Sequence, residues 1–280
     1  MTKQKVLAVA GILGISALIL SAGTLAYFTD TDKATNTFTM GSVDIKLIEQ
    51  QREIDENGDK TTTLVDFKQS KTLMPIVGSA QGEKDALGLP TAKNYVDKIA
   101  TVKNTGKSDA WVRFYFAIPS ALDDGYETFN AGHNILHFNF GIENGASTDG
   151  VSWIWTHGNK WNYYETKIDG VKYNVYYANY ATKLAKDATT TQAISGLYLD
   201  TTLDAKTNED GSVSYVVKNA GNESVVDMAE FVTADGFKID TPVYSVAVQA
   251  DGFADADSAI NAAFGEKFNP WGGATANWQE

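Results

Sequence analysis

Downstream of residue 40, apolar and polar positions alternate with a period of two. Val43, Ile45 and Leu47 alternate with Asp44 and Lys46, and Val112, Phe114, Phe116 and Ile118 alternate with Trp111, Arg113 and Tyr115. Val171, Tyr173, Val175 and Tyr177 alternate with Lys172, Asn174 and Tyr176, and Val213, Tyr215 and Val217 with Ser212 and Ser214. Side chains on a strand point to opposite faces in turn, so each set predicts a strand with one apolar row facing a sandwich core. Asn57-Gly58, Asp169-Gly170 and Asp210-Gly211 supply residues that accept positive φ, as tight hairpins require. One stretch has helical spacing instead. Ala256, Ala259, Ile260, Ala263 and Phe264 share a face, Asp255 or Asp257 can cap it, and Gly265 stops it. Residues 119–165 fit no clean period and are expected to form an elaborated loop region. The pattern predicts an all-β sandwich with long loop insertions and one short C-terminal helix.

The first residues follow a different rule. Lys3 and Lys5 precede an uncharged apolar run from Val6 to about Ala26, ending in the small residues Ser21, Ala22, Gly23, Thr24 and Ala26. A basic start, an apolar middle and a small-residue end make a secretory signal. The best cut has Thr24 at the third position before the bond and Ala26 at the first, so the mature chain begins at Tyr27. The run of about 20 residues is also long enough for an uncleaved anchor, but its glycines and small-residue end favour cleavage. Contact with the membrane is then expected only through residues 1–26, before the cut.

Composition narrows the function classes. The chain has 280 residues, no cysteine and a net charge of −12, which becomes −14 once Lys3 and Lys5 leave with the signal. An acidic surface repels phosphate backbones, so nucleic acid is not an expected partner. Without cysteine there is neither a disulfide framework nor thiol catalysis.

At the cut site the sequence meets a recognisable pattern. Ala26-Tyr27-Phe28-Thr29-Asp30, followed by the run from Asn36 through Phe38 to Ile45, resembles the start of the TasA/camelysin family. The run from Val102 through Asn104-Thr105-Gly106 to Arg113 is similar to that family's paired strands, and Val248 to Phe253 to its longer members. The resemblance covers about a quarter of the chain. It implies a jelly-roll-like antiparallel β-sandwich and secretion from a Gram-positive bacterium, with signal removal by a SipW-type peptidase. It also implies a role in biofilm matrix fibres or surface filaments, with other matrix proteins or polysaccharide as possible neighbours. The expected organisation is a signal over residues 1–26, an N-terminal arm over 27–40 and a sandwich over 41–280, elaborated at about 119–240.

The arm suggests how fibres would form. Tyr27 and Phe28 are bulky, Thr29 to Thr37 contains no large apolar residue, and Phe38 opens the first alternating strand. A polar arm with an aromatic tip packs poorly by itself but can add as a strand to a neighbouring subunit. The alternative is that it folds onto its own domain.

No enzyme site is expected. The chain has 3 histidines. His133 and His137 have the spacing of a zincin pair, but Asn134 stands where the general-base Glu belongs. His157 as a third ligand and Glu143 as a base would complete a camelysin-like metalloprotease, the least favoured reading. Asp55 to Asp59 lacks the closing Glu of a calcium loop and reads as a polar turn. No cofactor is expected. Trp153, Trp155 and Trp161, among many tyrosines, either pack a core or form an interface or sugar platform, and the latter makes a cell-surface carbohydrate-binding module the second reading. The signal assignment predicts that N-terminal sequencing of exported protein reads Tyr27-Phe28-Thr29; a product retaining residues 6–26 would refute it.

Overall fold

Asp169 and Gly170 take φ of 51° and 90°, and Gly58 takes 89°, so two of the expected turns close hairpins through left-handed backbone. At the second, Asp55 Oδ1 accepts the amides of Asn57 and Asp59, each at 2.9 Å. The computed structural model describes residues 29–32, 43–68, 71, 73–123, 125, 135–140, 144–145, 152–158, 160–207, 209–210, 213–219, 222–226, 232–233, 236–237 and 239–279.

In chain order the first strands are β1 (Thr29–Asp32), β2 (Ile45–Ile54), β3 (Lys60–Asp66), β4 (Val96–Asn104) and β5 (Ala110–Pro119). After a 3-10 turn over Ser120–Leu122 come β6 (Leu136–Phe140), β7 (Asn144–Gly145), β8 (Trp153–Ile154), β9 (Thr156–His157) and β10 (Lys160–Trp161). Then follow β11 (Tyr163–Ile168), β12 (Val171–Tyr180), β13 (Ile194–Leu199), β14 (Leu203–Thr207), β15 (Val213–Asn219) and β16 (Asn222–Val226). The chain closes with β17 (Val232–Thr233), β18 (Gly236–Phe237), β19 (Val243–Gln249), α1 (Ala256–Phe264) and β20 (Thr275–Ala276).

Two sheets make the all-β sandwich. One has the order β1-β19-β5-β12-β11-β20, with β8 joined to β12 and β7 to β8; the other has the order β3-β2-β4-β13-β6. From β4 onward the chain crosses repeatedly between them. The interior is filled by Val43, Ile45, Leu47, Val102, Ile194 and Leu197 from one sheet and Val112, Phe114, Phe116, Ile118 and Tyr176 from the other.

The first sheet is covered on its outer face as well. All ten residues of β5 are buried, because its second row, Trp111, Tyr115 and Ala117, enters a separate core with Tyr164, Tyr173, Val175, Val246 and Val248. That core is roofed by α1 and by Phe253, Phe264, Phe268, Trp271 and Trp278. The Val171, Tyr173, Val175, Tyr177 row lies on this outer side, whereas Tyr176 and Ala178 face the sandwich interior.

α1 forms where expected. Asp255 Oδ1 accepts the Ser258 amide at 2.7 Å in a capping box, and Gly265, at φ 93°, donates its amide to the Asn261 carbonyl at 2.9 Å. Asp257 does not cap; it accepts from Arg113 Nη2 at 2.7 Å. The buried Arg113 also donates through Nε to Asn179 Oδ1 at 2.7 Å and lies 4.9 Å from the Tyr177 ring centre, fastening helix to sheet.

Two local expectations are corrected. Val213, Tyr215 and Val217 lie on β15 in a separate sheet, β14-β15-β16, which among the described residues is hydrogen-bonded to neither sandwich sheet; Val216 of the same strand is buried. Consecutive in the chain, these three strands pair with one another through short connections, so the ladder of β15 is satisfied on both sides without either sandwich sheet. The region from 119 to 165, expected as loops, contributes β6 and β8 to β11 and buries Leu136, Phe138, Trp153 and Trp155. Its strands are two to six residues long, too short to show a period.

The long β3–β4 excursion is held by a buried ion network. Arg52 donates Nε to Asp97 Oδ2 at 2.8 Å, Nη2 to Asp97 Oδ1 at 2.7 Å and Nη1 to Asp85 Oδ2 at 2.7 Å. Lys60 Nζ reaches Asp97 Oδ1 at 2.9 Å. Burial alone would raise the Asp97 carboxyl, but the bonds and charges of Arg52 and Lys60 outweigh it and hold it below the usual range. A depressed folded pKa stabilises above the unfolded value of about 3.9 and loses that contribution as pH falls toward the folded value. Asp97→Asn is therefore expected to lower the melting temperature near neutral pH and to flatten the loss of stability below about pH 4, read by thermal unfolding across that range.

Candidate assembly site

Strand β19 has two sides to satisfy. On one, Val243–Gln249 pair antiparallel with β5 along their full length. On the other, β1 pairs antiparallel with Thr29 opposite Val248, Asp30 opposite Ala247, Thr31 opposite Val246 and Asp32 opposite Ser245. The four residues Thr-Asp-Thr-Asp carry no large apolar side chain, and they are joined to β19 by the main-chain ladder. The acceptor strand, by contrast, is well anchored: Ser245, Val246, Ala247 and Val248 are 0–1% exposed. Ser245 Oγ is buried without a hydrogen-bond partner among the described residues.

This geometry makes the β19 edge a slot for one added strand. Each ladder bond contributes about 0.5–1.5 kcal/mol net, and a buried group left unpaired costs about 1–3 kcal/mol. Removing β1 would thus leave β19 as an open edge, the feature of a sheet that recruits another strand. Thr24, Ala26, Tyr27, Phe28 and Phe38 lie outside the described residues. The acceptor strand was not among the expected site residues. Its signal was available in Val246 and Val248, a β-branched pair on one face just before the helix.

The tryptophans sit elsewhere. Trp153 and Trp155 are 0% and 1% exposed inside the sandwich, edge-on to Phe114 at 5.9 and 6.1 Å, and Trp153 Nε1 donates to the Thr191 carbonyl at 3.0 Å. Neither ring offers an open face on which a sugar could stack. Trp161 is half-buried and stacked on Phe140 at 5.3 Å.

The zincin spacing also lacks its scaffold. Two histidines four apart lie within reach of one metal ion on a helix, but about 13 Å apart on an extended strand; His137 lies on strand β6, stacked on Tyr198 at 4.9 Å with Nε2 3.1 Å from Asp200 Oδ2. His157 is on β9, in a hairpin with Lys160; His133 and Glu143 lie outside the described residues. Among the described residues no cluster of three or more His, Asp or Glu side chains could hold a metal, and no helix is long and apolar enough to cross a membrane. Among the described residues, the donor set around His137 does not fit a catalytic metal.

A family model described as camelysin metallo-endopeptidase matches residues 2–65. No curated protein and no solved structure matches the chain. Burial of Trp153 predicts that Trp153→Ala costs about 3–5 kcal/mol, measured by denaturant unfolding; an unchanged midpoint would contradict its place in the core. Residues 2–65, which include β1, β2 and nearly all of β3, are thus the part of the chain that is similar to the camelysin family.

Proposed function

We propose that this chain is a secreted, non-enzymatic structural subunit of extracellular biofilm matrix fibres, joined head to tail by donation of its N-terminal strand. The observation that supports this reading is the short β1 ladder on the edge of β19. The ladder is made by main-chain groups, so the same segment of another copy can make the same ladder bonds in the same register. Exchange between intramolecular and intermolecular pairing leaves their number unchanged. What tips the balance is the aromatic tip: burying Tyr27 and Phe28 against a neighbour supplies about 3–6 kcal/mol at roughly 25 cal/mol per Å².

Export controls the switch. While residues 1–26 remain attached, Thr29 is tethered three residues from an apolar membrane segment. A SipW-type peptidase cutting after Ala26 leaves two residues ahead of β1 and frees the arm to reach a neighbour. Because each subunit donates at one place and accepts at another, the contact is heterologous and extends as a filament instead of closing. The mature protein then remains in the matrix or at the cell surface, with sister subunits as its principal partners.

Two measurements test this. Deleting Tyr27–Thr31 from the mature protein is expected to abolish filaments seen by electron microscopy. Asp32→Cys with Ser245→Cys places one thiol on each strand of a register pair in a chain free of cysteine. Oxidised filaments should give a reducible ladder of multimers on denaturing gels. Filaments that yield only internally linked monomers would overturn strand donation.

A further inference from the structure

The same sheet ends, at its opposite side, on β11. Tyr163–Ile168 pair with β12 through all six residues, while the outward side meets β20 at two positions, Glu165 opposite Ala276 and Thr166 opposite Thr275. The segment from Asn269 to Gln279 is laid along this edge as a strap. Tyr164 Oη donates to Asn269 Oδ1 at 3.1 Å, Thr166 Oγ1 to the Ala274 carbonyl at 3.0 Å, and the Gln279 amide to the Tyr163 carbonyl at 3.1 Å. Asn277 Nδ2 donates to Glu165 Oε1 at 2.8 Å, and Trp278 stacks on Tyr164 with centroids 4.2 Å apart. Gly272 and Gly273, at φ 75° and 79°, make the bend that returns the strap to the edge.

We infer that this C-terminal strap is an edge guard that prevents a second copy of the chain from pairing with β11, and so confines sheet extension to β19. The unguarded edge is suited to a second copy by its own sequence. Two β11 strands meeting antiparallel about a two-fold axis through Thr166 place Glu165 opposite Lys167 twice, and Tyr164 opposite Ile168 twice. The first pairing is of opposite charge on one face and the second is apolar on the other, both favourable across strands. Tyr164 and Ile168 already belong to the outer core, so a facing copy would continue that core past the edge. With the strap in place, Ala276 takes the ladder opposite Glu165 and Asn277 takes its carboxylate. A two-fold contact closes on itself, unlike strand donation, so its effect on a fibre would be lateral pairing. The inference concerns the edge opposite β19 and stands whether or not β1 is donated.

A single cysteine reports on it. Thr166→Cys lies at the two-fold centre, so in a chain with no other cysteine a disulfide forms there only when two β11 edges meet. In mature protein ending at Trp271, oxidation is expected to give a reducible dimer, and the full-length Thr166→Cys chain should remain monomeric on the same gel. Adding Lys167→Glu to the shortened chain sets like charges across the axis and should abolish that dimer. If the shortened chain loses its cooperative melt, the readout moves to full-length protein carrying Ala276→Pro and Trp278→Ala, which withdraws the β20 amide and the stacked ring. A folded, strap-released chain that gives no dimer, or a dimer indifferent to Lys167→Glu, overturns the inference.

Discussion

The outermost strand of any sheet carries main-chain donors and acceptors that must find a partner, and the architecture here is arranged around that requirement. The principal sheet runs from β19 to β11, and each end is covered by a terminal segment: β1 on one side, β20 on the other. The two covers differ. The N-terminal one is four residues of Thr and Asp, held through the backbone. The C-terminal one is reinforced by an aromatic stack and side-chain bonds from Asn269 and Asn277.

That sheet also separates two cores, which is what makes its edges rigid enough to serve as templates. β5 lies between β19 and β12 and is buried on both faces, so any strand added at β19 joins a platform already fixed from above and below. Arg113, placed on the outer side of β5, links the sheet to α1 through Asp257 and to β12 through Asn179. A buried guanidinium is tolerated here because Asp257 and Asn179 each accept from one of its donors. On the other sheet Arg52 does the equivalent work, pinning the β3–β4 excursion through Asp97, Asp85 and the Pro90 carbonyl.

The aromatic residues of the middle region show how composition alone misleads about chemistry. Nine Trp and Tyr side chains between 153 and 180 have the look of a recognition surface. Most instead fill the space between layers, with Trp153, Trp155 and Tyr176 inside the sandwich and Tyr164 and Tyr173 beneath the strap and helix. Likewise the His133–His137 spacing brings two imidazoles together only on a helix, and His137 is on a strand, whose rise separates positions four apart. In both cases the deciding fact is where the backbone places the side chain.

Much of the fold was legible because it depends on local rules. Alternation located β2, β5 and β12, the Asp169-Gly170 and Asn57-Gly58 pairs located two hairpins, and the Asp255/Asp257 cap candidates with Gly265 bounded α1, since turns and caps are decided by a few adjacent dihedrals. The sequence also determined an acidic, cysteine-free chain with an arm poor in apolar residues. What it did not determine is which strands become neighbours. That β1 lies on β19, more than two hundred positions away, and that Trp111 and Tyr115 form a second core under the C-terminal segment, follow from packing among residues distant along the chain. Pairing across such distances is selected by the whole set of buried faces at once, and only the tertiary structure evaluates that set.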